Sequence, residues 1–133
     1  IRALGISSYP YFGHSDPDEI PADYYTRLRG KTGLPVIVTE GGWVSKSFGP
    51  IKSNPQQQAR YIARHADLLD SVSAIGWFQL QFAELDLKSF PGPLPDILPL
   101  FTSIALTDSN FRPKPALAQW DEQFGRRWVP RPS

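Results

Sequence analysis

Glu40 is the residue whose setting most demands a chemical explanation. It ends the β-branched run Val36-Ile37-Val38-Thr39-Glu40 and is followed at once by Gly41-Gly42. A carboxylate at the margin of an apolar strand costs several kcal/mol unless it is paired, hydrogen-bonded or put to use. Strand alternation places Val36, Val38 and Glu40 on one face. In a closed sheet that face would be the interior, with the carboxylate at its mouth. Two other runs bring groups that suit a carbohydrate. Ala3 to Tyr9 finishes on a phenol, and Ala74 to Phe82 puts Trp77, Gln79 and Gln81 on one side, with Gly76, Phe78, Leu80 and Phe82 on the side expected to meet helices. Aromatic rings stack on the apolar faces of pyranoses, and amides and phenols hydrogen-bond their hydroxyls. From the residues alone, structural roles stay open: Glu40 as a helix cap or a partner of Arg2 or Arg64, and Trp77 as core filling.

The elements that must position these groups alternate between strand and helix. After the first run comes a loop from Pro10 to Pro17, then a short helix around Ala22 to Leu28 closed by Gly30 and Gly33. After the second, Asn54-Pro55-Gln56-Gln57 offers an N-cap followed by proline at the first helical position. Ala59, Ile62, Ala63, Ala66 and Leu69 then form an apolar stripe at helical spacing. After the third, the proline-rich stretch Pro91 to Pro99 predicts a loop, then a short helix near Leu100 to Ala105. A last helix is expected from Lys114 to Phe124, striped by Leu117, Trp120 and Phe124 and capped by Gly125. Strands alternating with helices predict a parallel α/β sheet with functional groups at the carboxyl ends of its strands, where Tyr9, Glu40 and Gln81 fall.

Four segments occur in an order that resembles a known family: Ser8-Tyr9-Pro10-Tyr11, Pro35-Val36-Ile37-Val38-Thr39-Glu40-Gly41-Gly42-Trp43, Gly76-Trp77-Phe78-Gln79 and Asp108-Ser109-Asn110-Phe111-Arg112-Pro113-Lys114-Pro115-Ala116-Leu117. The chain resembles the last third of retaining β-glycoside hydrolases built on a (β/α)8 barrel, most closely the cellulase and arabinogalactan endo-β-1,4-galactanase branches. The resemblance implies an α/β fold comprising strands six to eight of a TIM barrel with their helices over residues 1–125, in three βα units, and a tail over 126–133. It implies Glu40 as the nucleophile, Tyr9 as the phenol that keeps it ionised, and Trp77 as the floor of the adjoining sugar subsite. Trp43, Tyr11 and Gln79 would flank that subsite, each equally explicable as a packing or loop residue. The second carboxylic acid of a retaining mechanism, which in the family follows an Asn at the end of strand four, has no counterpart, because no Asn-Glu pair occurs here. Glu84 and Asp86 are expected to be solvated loop charges.

Whole barrels of this kind need about 250 residues and this chain has 133, opening with Ile1 almost directly into a strand. It is therefore expected to be part of a longer protein, inactive by itself, whose open sheet pairs with a missing amino-terminal half or with another copy. Fourteen basic against thirteen acidic residues leave a formal net charge of +1, no footprint for nucleic acid or an anionic membrane, and a carbohydrate is the expected partner. His14 and His65 are isolated and there is no cysteine, so neither a metal nor another cofactor is expected. No apolar run reaches the length of a membrane span. Localisation stays open; a signal peptide on a parent chain would make it secreted or periplasmic. The alternative is a catalytically silent carbohydrate-binding or assembly module derived from such a barrel. A flavodoxin-like domain is weaker, since no Gly-rich phosphate loop follows any strand.

Overall fold

The computed structural model describes residues 2–125. The expected 126–133 tail lies outside them, as does Ile1. Three parallel strands, β1 (Leu4–Ser8), β2 (Val36–Gly41) and β3 (Gly76–Trp77), form one sheet in sequential order. Among the described residues four α-helices accompany them: α1 (Thr26–Thr32), α2 (Pro55–Ser71), α3 (Leu98–Thr102) and α4 (Pro115–Phe124).

Local chemistry explains most boundaries. Asn54 caps α2 by accepting a hydrogen bond from the Gln57 amide at 2.8 Å, and Pro55 occupies the first turn, where no amide donor is missed. The first helix begins later than the sequence predicts: α1 starts at Thr26 and runs through Gly30 to stop at Gly33, whose left-handed φ of 65° ends it. In the proline-rich region α3 starts at Leu98 with Pro99 in its first turn, two residues earlier than expected. The third strand is shorter than Ala74 to Phe82. Beyond the Gly76–Trp77 pairing the backbone still follows β2, through Ile75 N–H to Val36 O at 2.9 Å and Phe78 N–H to Val38 O at 2.9 Å.

The core lies between the sheet and α2, α4. Val36 and Val38 are completely buried there with Tyr61 and Ile62 of α2, and Leu68 and Leu69 are nearly so. Trp77, paired in register with Val38, shares that face: its indole meets His65 of α2 at 4.6 Å and Trp120 of α4 at 4.6 Å. Both orientations reverse the sequence expectation. Val36 and Val38 point at helices rather than at a barrel interior, and Trp77 goes with them. Gly76, Phe78, Ile37, Gly5 and Thr39 occupy the opposite face, where Phe78 remains 59% exposed. Glu40, from which alternation is counted, does not share the face of Val36 and Val38.

Candidate functional site

The reason is an extra residue in β2. Ile6 pairs with Val38, but the next residue of β1, Ser7, pairs with Glu40, so Thr39 is passed over. On the other side, Phe78 N–H binds Val38 O while Leu80 N–H, two residues on, binds Gly41 O three residues on. Measured against both neighbours, β2 therefore carries a bulge at Thr39 to Glu40. Such a bulge breaks alternation and re-aims the side chain that follows. Glu40 consequently leaves the face of Val36 and Val38 and is exposed at the carboxyl end of the strand.

Gly41 completes the device. Its φ is 152°, and a Cβ there would collide with the Ser8 carbonyl. Only glycine lets the ends of β1 and β2 approach so closely, and the approach brings Tyr9, next to Ser8, beside Glu40, next to Gly41. The Tyr9 hydroxyl donates a hydrogen bond to Glu40 Oε1, which fixes the direction of the carboxylate. Of the two arginines open as ion-pair partners of Glu40, Arg2 and Arg64, Arg64 instead donates to the Ile20 carbonyl at 2.6 Å.

Glu40 opens into a cleft of about 330 Å³. Leu80, Gln81 and Leu85 enter it from the segment after β3, and Leu98, Phe101 and Thr102 enter it from α3. The Phe101 ring stands edge-on to Tyr9, with centroids 5.5 Å apart at 80°. Neither Phe101 nor Leu98 was a candidate from sequence. Their i, i+3 spacing within a proline-rich stretch was the only available signal.

The remaining candidates are not brought to this cleft. Trp43 is 1% exposed, packs on Tyr61 and Tyr11, and donates its indole N–H to the Ser53 hydroxyl at 3.1 Å. Tyr11 is buried beside it, and burial raises its phenol pKa well above the ordinary value. Gln79 donates to the Ile104 carbonyl at 3.0 Å and packs on Gly42, bracketing the β3 end to the α3 segment. Trp77 belongs to the core described above. Glu84 also departs from expectation. Its side chain is only 11% exposed and lies between Lys114 at 2.6 Å and Lys46 at 3.1 Å. Desolvation depresses the Lys114 pKa, and the Glu84 partnership opposes that shift.

Beneath the strand ends runs a buried polar chain. The Ser8 and Tyr25 hydroxyls are 2.5 Å apart, and the Tyr25 hydroxyl is 2.7 Å from His65 Nε2. Burial pushes His65 down to about 3, so the imidazole is neutral, stacked on Tyr61 at 4.9 Å. Among the described residues no group of three or more His, Cys, Asp or Glu side chains is placed to hold a metal ion, and no helix is long and apolar enough to cross a membrane.

No protein-family model matches the sequence, and no match was found among curated proteins. Solved structures do match. A β-glucuronidase of Faecalibacterium prausnitzii superposes with a TM-score of 0.68 at 18% identity over 92% of this chain and 21% of its own. The β-D-glucuronidase of Dictyoglomus thermophilum gives 0.67 at 16% identity, over 93% of this chain and 22% of its own. A family 39 glycoside hydrolase of Bacteroides cellulosilyticus gives 0.57 at 22%, over 96% and 28%. The chain thus spans between a fifth and a third of the length of these enzymes. At such identities the likeness is one of fold: nearly the whole chain has the mixed helix-and-strand architecture found within these glycoside hydrolases.

Proposed function

We propose that this chain supplies the nucleophile side of a retaining β-glycoside hydrolase, with β1, β2 and β3 standing as strands six, seven and eight of a (β/α)8 barrel. The observation that carries the proposal is the Tyr9 to Glu40 hydrogen bond, made between adjacent parallel strand ends at an open cleft. In this mechanism the Glu40 carboxylate attacks the anomeric carbon, the glycosidic C–O bond breaks, and a glycosyl ester forms on Glu40. Water then opens the ester and regenerates the carboxylate. Tyr9 holds Oε1 and so orients the carboxylate for attack. The proton for the leaving oxygen comes from an acid that this chain does not place: among the described residues lining the cleft Glu40 is the only carboxylate, and Glu84 is held between two lysines. That same observation favours a second reading, a catalytically silent carbohydrate-binding or assembly module. Either way the expected counterpart of the open sheet is the rest of a barrel or a second copy. The sugar is a β-glycan or β-glycoside, with the β-glucuronides named for the structural neighbours as one class among them.

Treatment of the protein that carries this chain with a 2-deoxy-2-fluoro β-glycoside bearing a dinitrophenolate leaving group is expected to add one sugar to the peptide containing Glu40, read by mass spectrometry. Glu40→Ala should lower turnover by at least about a thousandfold, and azide should restore it with a product of opposite anomeric configuration. A label on another residue, or retained turnover, would reassign the nucleophile. Sugar binding with neither label nor turnover would favour the silent module.

A further inference from the structure

The wall opposite Glu40 carries information about the sugar itself. Leu80 and Leu85 from the segment after β3 and Leu98 and Phe101 from α3 face the cleft around the carboxylate. The wall is fixed from behind. Leu100 and Ile104, on either side of Phe101 in sequence, are 2% and 0% exposed, and the Tyr9 ring that holds Glu40 packs on the Phe101 edge. Phe101 and Glu40 are therefore linked through one ring, that of Tyr9. Lys46 and Lys114 are engaged by Glu84, which lies between Leu80 and Leu85.

We infer that this wall is a specificity surface that receives the apolar C–H face of an uncharged pyranose and disfavours a uronic acid. The inference rests on the glycosidase reading above and narrows its substrate class. A neutral pyranose buries C–H groups against leucine and phenyl side chains while its hydroxyls reach Gln81 and Thr102 at the cleft margin. A uronate would place a second carboxylate beside Glu40 against hydrocarbon, which is unfavourable without a cation partner.

The test uses the whole protein that carries this chain and 4-nitrophenyl β-glycosides, so that the leaving group is constant. The glucoside, galactoside and xyloside are compared with the glucuronide. At least one neutral substrate is expected to exceed the glucuronide in kcat/KM by about a hundredfold or more, on the scale of an unpaired buried charge. Phe101→Ala should lower kcat/KM on that substrate about tenfold, mainly through KM. Leu85→Arg, at a position that is 42% exposed, should shift the ratio towards the glucuronide by at least about tenfold. A wild-type preference for the glucuronide, or an unchanged ratio in Leu85→Arg, would overturn the inference. If no glycoside is turned over and no label reaches Glu40, the hydrolase reading fails, and the wall is then judged by binding alone. Perturbation of the Phe101 ring resonances by a neutral methyl β-glycoside but not by its glucuronide supports it, and perturbation by neither sinks it.

Discussion

On the helix side of the sheet, Val36, Val38 and Trp77 are enclosed by α2 and α4, and even the polar groups there, His65 and Tyr25, are sealed from water. At the carboxyl ends of the same strands, Glu40 lies in an open cleft, aimed by a bulge and held by one phenol. The contrast teaches which kind of evidence each region demands. Helix-side residues are fixed by how much apolar surface they bury, so they should answer to mutation in stability. Strand-end residues are fixed by backbone geometry, so they should answer in reactivity while stability hardly moves.

The largest expected effect that sharpens this contrast is on the helix side. Trp77→Ala removes an indole that packs on His65, Trp120 and Phe124 and should cost about 3 kcal/mol in urea unfolding. Trp77→Phe should keep most of the stability and change the rate of Glu40 labelling by less than about threefold, since nothing that touches Glu40 is altered. A large loss of labelling in a well-folded Trp77→Phe would bring the indole back to the sugar site and break the distinction.

An intermediate effect concerns acid. His65 is held down to about 3 by burial, against an unfolded value near 6.5. Between those values the unfolded chain binds a proton that the folded chain refuses. The stability due to the neutral imidazole is therefore complete above pH 6.5 and falls as pH drops, by about 1.4 kcal/mol per unit. Urea midpoints from pH 7 down to 5 should show this slope, above the range where ordinary carboxylates contribute, and His65→Asn should flatten it. A wild-type profile already flat over that interval would mean that the core admits the charge.

The smallest effect is at the strand ends. Tyr9→Phe removes the hydrogen bond to Glu40 and keeps the ring against Phe101. Labelling of Glu40 should slow by about tenfold, as expected for a hydrogen bond to a charged group. The melting temperature should stay within a few degrees. A marked loss of stability instead would place Tyr9 with the packed core.

How legible the molecule was from its sequence divides along the same line. The order of strands and helices, the Asn54 cap and the apolar stripe of α2 could be read because each depends on neighbours in sequence. The proximity of Tyr9 and Glu40 was also expected, since both lie at strand ends. What could not be read was which face is which. A residue passed over in pairing is visible only against the neighbouring strands, so alternation from Glu40 sends Val36 and Val38 to the wrong side, and alternation along Ala74 to Phe82 sets Trp77 with Gln79 and Gln81, away from the helices it in fact meets. Phe101 and Leu98 escaped notice because their meeting with Glu40 depends on how a proline-rich segment folds back across the strand ends. Glu84 looked like a loop charge because its two lysines lie 38 and 30 positions away.

The extra residue in β2 has a consequence for how this strand can change over time. Its upstream half, Val36 to Val38, answers to volume, and its last residues answer to direction, with the hand-over confined to a single step of the ladder. Repacking the interior can therefore proceed by ordinary hydrophobic exchange without turning the carboxylate. Conversely, drawing the passed-over residue into regular pairing would return the acid to the face of Val36 and Val38 while every upstream contact stayed in place, a silent failure that composition alone would never betray.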